Sequence, residues 1–388
     1  MSSAVLFISG EYPPMHGGVG DYTARLAAAL EAEGWNPAVL TSQAVYPSPA
    51  GVYSEVGRWS WRLLGKARRT AFQVGAAIVH IQYQTGAFGM HPAINLLPWS
   101  LRRGGQLPSV TTFHDLREPY LFPKAGALRP LVNRVLASGS DAVVVTNPED
   151  RRRLEKIRGL KRKVQLIPIG SNLPLPPAVD RSSVLSRYGV RPSERVVGFF
   201  GFPTPDKGIE LLLRALADYG EGVPRLMIVG GELADTDRSN REFARALYQR
   251  LQRLQPHPVI TGHLPEQEAA AVLASTDLIA LPFRHGASLR NGSLLAALAS
   301  GRPVITTAPR RFDDLLPFRD RESLLLVPDG DAVTLRDTMR NVLDGSDFSE
   351  IGMQAREHLG SHRWQSIARR HIELYESLLR GRTERALG

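Results

Sequence analysis

At 388 residues the chain exceeds what one hydrophobic core usually serves, so two domains are expected. Hydrophobic residues at 43% and charged residues at 22% are those of an ordinary globular protein, and the absence of cysteine excludes disulfides and thiolate metal sites. A formal charge of +10, carried mostly by arginine, suits an anionic partner such as nucleotide phosphates, an acidic membrane surface or nucleic acid. Arginine richness equally fits genome composition or a hot habitat.

Met1–Ser3 leads directly into a strand-like run, Ala4–Ser9, with no signal-peptide pattern, and no apolar run approaches the roughly 20 residues needed to span a bilayer. A cytoplasmic protein is the default expectation. After this first strand comes Glu11-Tyr-Pro-Pro-Met-His-Gly-Gly-Val-Gly20, then a helix over Asp21–Glu33. Gly17, Gly18 and Gly20 permit positive φ and close approach of a ligand to the helix N-terminus, although a plain flexible turn has the same composition. The loop is not a G-x-G-x-x-G dinucleotide fingerprint.

Strand-like runs follow at Ala38–Thr41, Ala77–Ile81, Ser109–Phe113, Ala142–Thr146 and Val164–Pro168. Between the first two, Arg58, Arg62, Lys66 and Arg69 are predicted to line one helical face, with Val56, Trp59, Leu63 and Ala67 on the other. That pattern is compatible with lying on an acidic membrane. In Thr111-Thr-Phe-His-Asp115, His114 ends a strand, where an imidazole can donate to a sugar hydroxyl, or simply be a satisfied structural histidine. Arg151–Arg153, Lys156, Arg158 and Lys161–Lys163 form a dense basic run that a solvated surface explains, and no aromatic interleaving points to nucleic acid.

Gly170-Ser-Asn-Leu-Pro-Leu-Pro-Pro177 forbids regular structure and reads as a hinge-like linker. The rhythm then resumes with Val196–Phe200, Arg225–Val229, Pro258–Thr261, Leu278–Pro282, Pro303–Thr306 and Leu324–Val327, with helices such as Gly208–Asp218 and Glu242–Leu254 between. This alternation predicts an α/β protein of two doubly wound, Rossmann-like parallel sheets facing across a cleft. The expected boundaries are residues 1–174, 175–362 and a terminal helical segment, 363–388, whose apolar stripe through Trp364, Ile367 and Tyr375 must dock.

Three second-half segments carry chemistry. In Gly201-Phe-Pro-Thr-Pro-Asp-Lys-Gly208, Lys207 at a helix start can neutralise a diphosphate leaving group, or be a solvated lysine. Asp235-Thr-Asp237 has the D-x-D form that holds a divalent metal elsewhere, yet sits where aspartates commonly cap helices. His285-Gly-Ala-Ser-Leu-Arg-Asn-Gly-Ser293 opens a small-residue helix, with Asn291 as a candidate N-cap and Gly292 and Ser293 keeping the first turn open to phosphate.

In series, the GGVG loop, TFHD, IPIGSN, DKG, GHLPEQE, LLAALASGRPVIT and the Trp364/Tyr375 helix resemble glycosyltransferase family 4, retaining enzymes of the GT-B fold, over almost the whole chain. The resemblance implies sugar transfer from a nucleotide-diphosphate sugar to a hydroxyl of a glycan or lipid-linked acceptor, with retained configuration, no cofactor and no essential metal. It places Gly17, Gly18 and Gly20 near the donor phosphates and acceptor, His114 at the donor sugar and Lys207 at the diphosphate. It puts the helix start at Asn291–Ser293 on the far side of the diphosphate, with Ser288 and Arg290 in the same loop, and the backbone of Gly262, His263 and Leu264 at the base. His114 and Lys207 are the expected catalytic residues.

The sequence departs from the family at the Glu-x7-Glu pair, where Ser288 and Ala296 stand, and at an arginine replaced by Phe202. Arg290 could restore positive charge, with Ser288 or Asn291 holding the sugar neutrally. A degenerate nucleotide- or glycan-binding protein and a nucleotide-sugar epimerase of the same architecture are the alternatives. For the face of Arg58, Arg62, Lys66 and Arg69 a solvated surface is the stronger reading, with peripheral contact at the acidic inner face of a membrane the alternative, and a nucleic-acid partner is not expected.

Overall fold

The computed structural model describes residues 3–15, 17–43, 48–103, 107–116, 129–230, 238–345 and 348–387. The chain divides into two compact units, Met1–Gly170 with His362–Gly388, and Ser171–Ser361.

Among its described residues the first unit holds seven strands: β1 (Ala4–Ser9), β2 (Asn36–Ser42), β3 (Val52–Val56), β4 (Ala76–Tyr83), β5 (Ser109–Phe113), β6 (Ala142–Val145) and β7 (Val164–Leu166). They form one parallel sheet in the order β3-β2-β1-β4-β5-β6-β7. Its helices are α1 (Gly18–Ala32), α2 (Arg62–Gln73), α3 (Ala93–Arg103), α4 (Arg129–Gly139) and α5 (Pro148–Glu155). Because alternate side chains leave a strand on opposite faces, Leu6 and Ile8 pack beneath α2 through α5 while Val5 and Phe7 pack beneath α1. Both faces being covered, β1 reads AVLFIS without polar alternation.

The second unit runs α6 (Arg181–Ser186), β8 (Val196–Phe200), α7 (Ile209–Ala217), β9 (Arg225–Val229), α8 (Arg238–Arg253), β10 (Val259–Ile260), α9 (Glu266–Ala274), β11 (Leu278–Leu281), α10 (Gly292–Ala299), β12 (Val304–Thr307), β13 (Leu325–Val327), α11 (Ala332–Asp344) and α12 (Ser349–His358). Its described sheet is six-stranded and parallel, ordered β10-β9-β8-β11-β12-β13. The last helix, α13 (Trp364–Leu387), returns to the first unit, where Ile367, Ala368 and Tyr375 are buried against the α1 face of the sheet.

Two sequence expectations are corrected. β3 was not anticipated: it is a sheet edge, and VYSEV lacks the continuous apolar run of a central strand. The helix expected from Val56 begins only at Arg62, so Val56 ends β3 and Arg58 precedes the helix. The apolar side expected to face a membrane is core, since Val56, Leu63 and Ala67 are buried beneath the sheet's helical layer. Lys66 is held by the carbonyl (2.6 Å) and carboxylate (3.4 Å) of Glu55.

Candidate functional site

In the second unit the strand order reverses between β8 and β11, the point at which doubly wound sheets bind ligands outside their carboxyl ends. The segments leaving those two strands are Gly201–Gly208 and Pro282–Asn291. Gly201 has φ +92°, and the Lys207 ammonium folds back into the space that a Cβ there would fill, with the Ser293 Cβ 3.9 Å from that same place. Lys207 ends a 3-10 turn, Pro205–Lys207, and Gly208 follows at φ +72° with its backbone pressed so closely on Pro282 that a Cβ would overlap the Pro282 carbonyl. The Arg284 amide donates to the Asp206 carbonyl at 3.0 Å, tying the two segments together.

Lys207 has no carboxylate partner among the described residues. Burial without a counter-charge pushes its ammonium down to about 8. An anion is what this arrangement lacks.

Beside it starts α10, anchored by the buried run Leu294–Ala299. Asn291 holds the N-cap position in extended conformation, but its side chain makes no capping bond, contrary to expectation. Its carbonyl accepts from the amides of Leu294 (2.9 Å) and Leu295 (3.2 Å), while those of Gly292 and Ser293 have no acceptor among the described residues. Open amides at a helix start and a desolvated ammonium make a cradle for a polyanion. Asn172, absent from the sequence expectations, joins it with its carboxamide nitrogen 3.3 Å from the place of a Gly292 Cβ.

The remaining expected positions of this unit divide. Ser288 accepts from the Arg290 amide at 3.3 Å, and Arg290 is exposed. Gly262, His263 and Leu264 follow β10, at the same sheet edge but two strands from β8. Thr261 fixes that turn, accepting from the Gly230 amide at 3.1 Å and donating to the Gly262 carbonyl at 2.9 Å, and Gly262 has φ +68°. Phe202 is exposed.

In the first unit, Gly17, Gly18 and Gly20 open α1, yet none adopts left-handed backbone, correcting the reason given for their being glycine. Space is what they provide: a Cβ on Gly17 would overlap the Glu11 carboxylate, and one on Gly20 would stand 3.1 Å from the Tyr12 Cα. Glu11 Oε1 accepts from the amides of Val19 (2.9 Å) and Gly20 (3.1 Å), so this helix start is already neutralised by a carboxylate that reads in sequence as an ordinary loop acid.

His114 follows β5, half-buried, with Nε2 2.9 Å from Gln82 Oε1 and the Tyr22 ring edge-on at 4.7 Å. Burial, then the nearby His371, pushes its imidazole down to about 3, so the ring is neutral, and with Nε2 engaged by Gln82 its Nδ1 has no partner among the described residues. Behind it His80 bonds Tyr375 of α13 at 2.6 Å and Thr112 at 2.7 Å.

No three His, Asp or Glu side chains converge on a metal-sized site among the described residues. Asp235 and Asp237 lie outside them. No described helix is long and apolar enough to cross a membrane.

Two doubly wound parallel-sheet units with a last helix returning to the first define the GT-B architecture. Residues 17–170 match the family described as the glycosyl transferase 4-like domain, and residues 194–345 that described as glycosyl transferases group 1. The chain belongs to this glycosyltransferase family. Among its relatives, the D-inositol 3-phosphate glycosyltransferase of Nocardia farcinica is 26% identical over 296 residues, 72% of this chain but 64% of that protein's own length. Sucrose-phosphate synthase of Thermosynechococcus elongatus superposes with a TM-score of 0.75 at 21% identity, covering 98% of this chain and 100% of that one. HepE of Anabaena, solved with UDP-glucose, gives 0.73 at 18% identity, covering 96% and 99%.

Proposed function

We propose that the chain is a retaining glycosyltransferase that moves a sugar from a nucleotide-diphosphate donor to a hydroxyl of a glycan or lipid-linked acceptor, without an essential metal. The observation that carries this reading is the desolvated, unpartnered Lys207 ammonium beside the open amides of α10. A leaving diphosphate gains negative charge as the glycosidic bond breaks, so fixed positive charge there stabilises the transition state more than the ground state. In a front-face mechanism the leaving phosphate oxygen takes the acceptor proton, and no carboxylate nucleophile is required.

The UDP-glucose held by the fold neighbour HepE makes uridine donors the first to test. Ser293, Gly292 and Asn172 are assigned to the diphosphate, the Gly262–Leu264 backbone to the base, and Ser288, Arg290 and Asn291 to the donor sugar. In the first unit, the neutral His114 is assigned to a sugar hydroxyl through Nδ1. Since Glu11 already fills the start of α1, Gly17, Gly18 and Gly20 are assigned to a neutral acceptor rather than to phosphate. A lipid-linked acceptor would bring the chain into peripheral contact with an acidic membrane face.

The test is a panel of nucleotide-diphosphate sugars scored by thermal stabilisation, since a ligand binding only the folded state stabilises by an amount set by its affinity. Stabilisation by one donor in the intact chain, lost in Lys207→Met, is expected, followed by transfer to an acceptor with retained anomeric configuration. A donor isomerised without acceptor would establish the epimerase reading instead. No stabilisation by any donor would leave a protein with the architecture and no transfer chemistry.

A further inference from the structure

We propose that the outward face of α2, α3 and α4 in the first unit is a docking surface for an anionic lipid bilayer. The inference names a surface for the peripheral contact suggested above, but needs no transfer activity.

These three helices lie side by side on one face of the sheet, α2 against α3 and α3 against α4. Their inward residues are core, and the outward stripes are exposed. On α2 the outward stripe is Trp61, Gly65, Arg68 and Phe72, spaced by four, three and four residues and so on one helical face. On α3 it is Leu96, Trp99 and Arg103, and on α4 Leu131 and Arg134, spaced alike. Every one of these residues is exposed, Phe72 to 90%.

Phe72 at 90% and Trp61 at 54% on α2, beside Trp99 at 42% on α3, expose more aromatic surface on neighbouring helices than a solvated face needs. The Trp99 ring is laid against α4 and remains 42% exposed. A Cβ on Gly139 would overlap it, its indole N–H donates to the Val135 carbonyl at 3.2 Å, and the Arg102 guanidinium lies 5.8 Å from its centre. Tryptophan with its polar atom satisfied and its ring partly exposed suits a headgroup boundary.

Charge selects the occupant. From Gly57 to His114 the sequence contains no Asp or Glu, although 38 of the chain's 388 residues are acidic. Arg62, Arg69 and Arg103 flank the aromatic stripes and are exposed. Aromatic rings set among guanidinium groups on three helices that carry no Asp or Glu match a surface that is apolar below and negatively charged above, which is an anionic bilayer. The carboxylates beside these helices, Glu55 and Asp141, are already paired with Lys66 and Arg102, so a protein partner of ordinary mixed charge gains no carboxylate from the helices themselves.

The test is co-sedimentation of the full chain with vesicles of phosphatidylcholine alone or with about a third phosphatidylglycerol, at low and high salt. Binding to the anionic vesicles only, weakened by salt, is expected. Arg62→Gln, Arg69→Gln and Arg103→Gln together should lower the partition coefficient by about 100-fold, at roughly fivefold for each basic residue. Phe72→Ser should lower it by about tenfold. Being exposed, these side chains should leave the melting temperature and donor-induced stabilisation unchanged.

Failure of the wild-type chain to sediment, equal binding to neutral vesicles, or variants that bind as well as wild type would each overturn the proposal. So would self-association in sedimentation velocity that Phe72→Ser abolishes, which would make a second copy the occupant. Vesicle binding without stabilisation by any nucleotide-sugar would refute the transferase reading and leave this surface standing.

Discussion

If Lys207 is the diphosphate ligand, donor affinity must carry the titration of its ammonium. In the free protein burial holds that group at about 8, against 10.5 for an ordinary lysine. A bound diphosphate stabilises the charged form and raises the value again. The affinity for UDP is then constant below about pH 8 and falls about tenfold per unit above it, because binding must first restore the proton. The ammonium bond to phosphate is worth about 1.5–3 kcal/mol, so Lys207→Met should weaken UDP by roughly 10- to 150-fold at pH 7 and flatten the profile above pH 8. Stability moves the other way. The unfolded chain holds the proton more tightly than the folded one between about 8 and 10.5, so the cost of burying the charge is full below 8 and disappears as pH rises through that interval. That cost is about 3 kcal/mol, and Lys207→Met should recover it at neutral pH. Isothermal titration with UDP from pH 7 to pH 9.5, beside thermal melts of both proteins, measures the two effects. A pH-independent UDP affinity, or a Met variant that melts lower than wild type, refutes the reasoning.

Gly208→Ala should destabilise by at least about 2–3 kcal/mol, since the position needs φ +72° and its Cβ would overlap the Pro282 carbonyl, and a lowered melting transition would show it. Glu11→Ala and Gly17→Ala should each cost about 1–2 kcal/mol and the pair little more than either, because both remove the same carboxylate from the start of α1; additive losses in a double-mutant cycle would disprove that coupling. His114 and His371 are held down to about 3 and about 4, so the unfolded chain takes up protons first as pH falls below about 6.5, and stability should drop by up to about 1.4 kcal/mol per pH unit for each. Protection against hydrogen exchange along α13, which carries His371, taken relative to the intrinsic rate at each pH, should be lower at pH 5 than at pH 7.5.

Most of the fold was legible because buried parallel strands advertise themselves. β1, β5, β8 and β9 fall on the same residues in sequence and structure, being apolar runs bounded by turn residues. β3 escaped notice because an edge strand is paid no hydrophobic signal, and the start of α2 was misplaced because Val56 and Trp59 continue a helical period across a chain turn. At the candidate site, the types and order of residues were readable but their geometry was not. That Lys207 folds over Gly201 depends on a left-handed backbone and a short turn, and the residue type at Asn291 does not disclose that its side chain makes no capping bond. Glu11 illustrates the deeper limit: a glycine-rich helix start looks the same in sequence whether the chain or a ligand supplies the anion.

The two missing family carboxylates can be separated on physical grounds. Ala296 lies inside α10 at 2% exposure among Leu294, Leu295 and Leu298, so a glutamate there would have to bury its charge at a cost of several kcal/mol. Ser288 is half-buried in the loop, with Arg290 exposed two residues on, where a carboxylate can stay solvated. Ser288→Glu should therefore fold with little loss, and Ala296→Glu should not. If the donor sugar is held through Ser288, its variant should change which sugar is accepted while leaving UDP affinity intact, because the cradle of Lys207, Gly292 and Ser293 is untouched. Thermal stabilisation by UDP and by UDP-hexoses side by side separates the two, and a Ser288→Glu protein that loses UDP itself would show that this loop supports the diphosphate rather than the sugar.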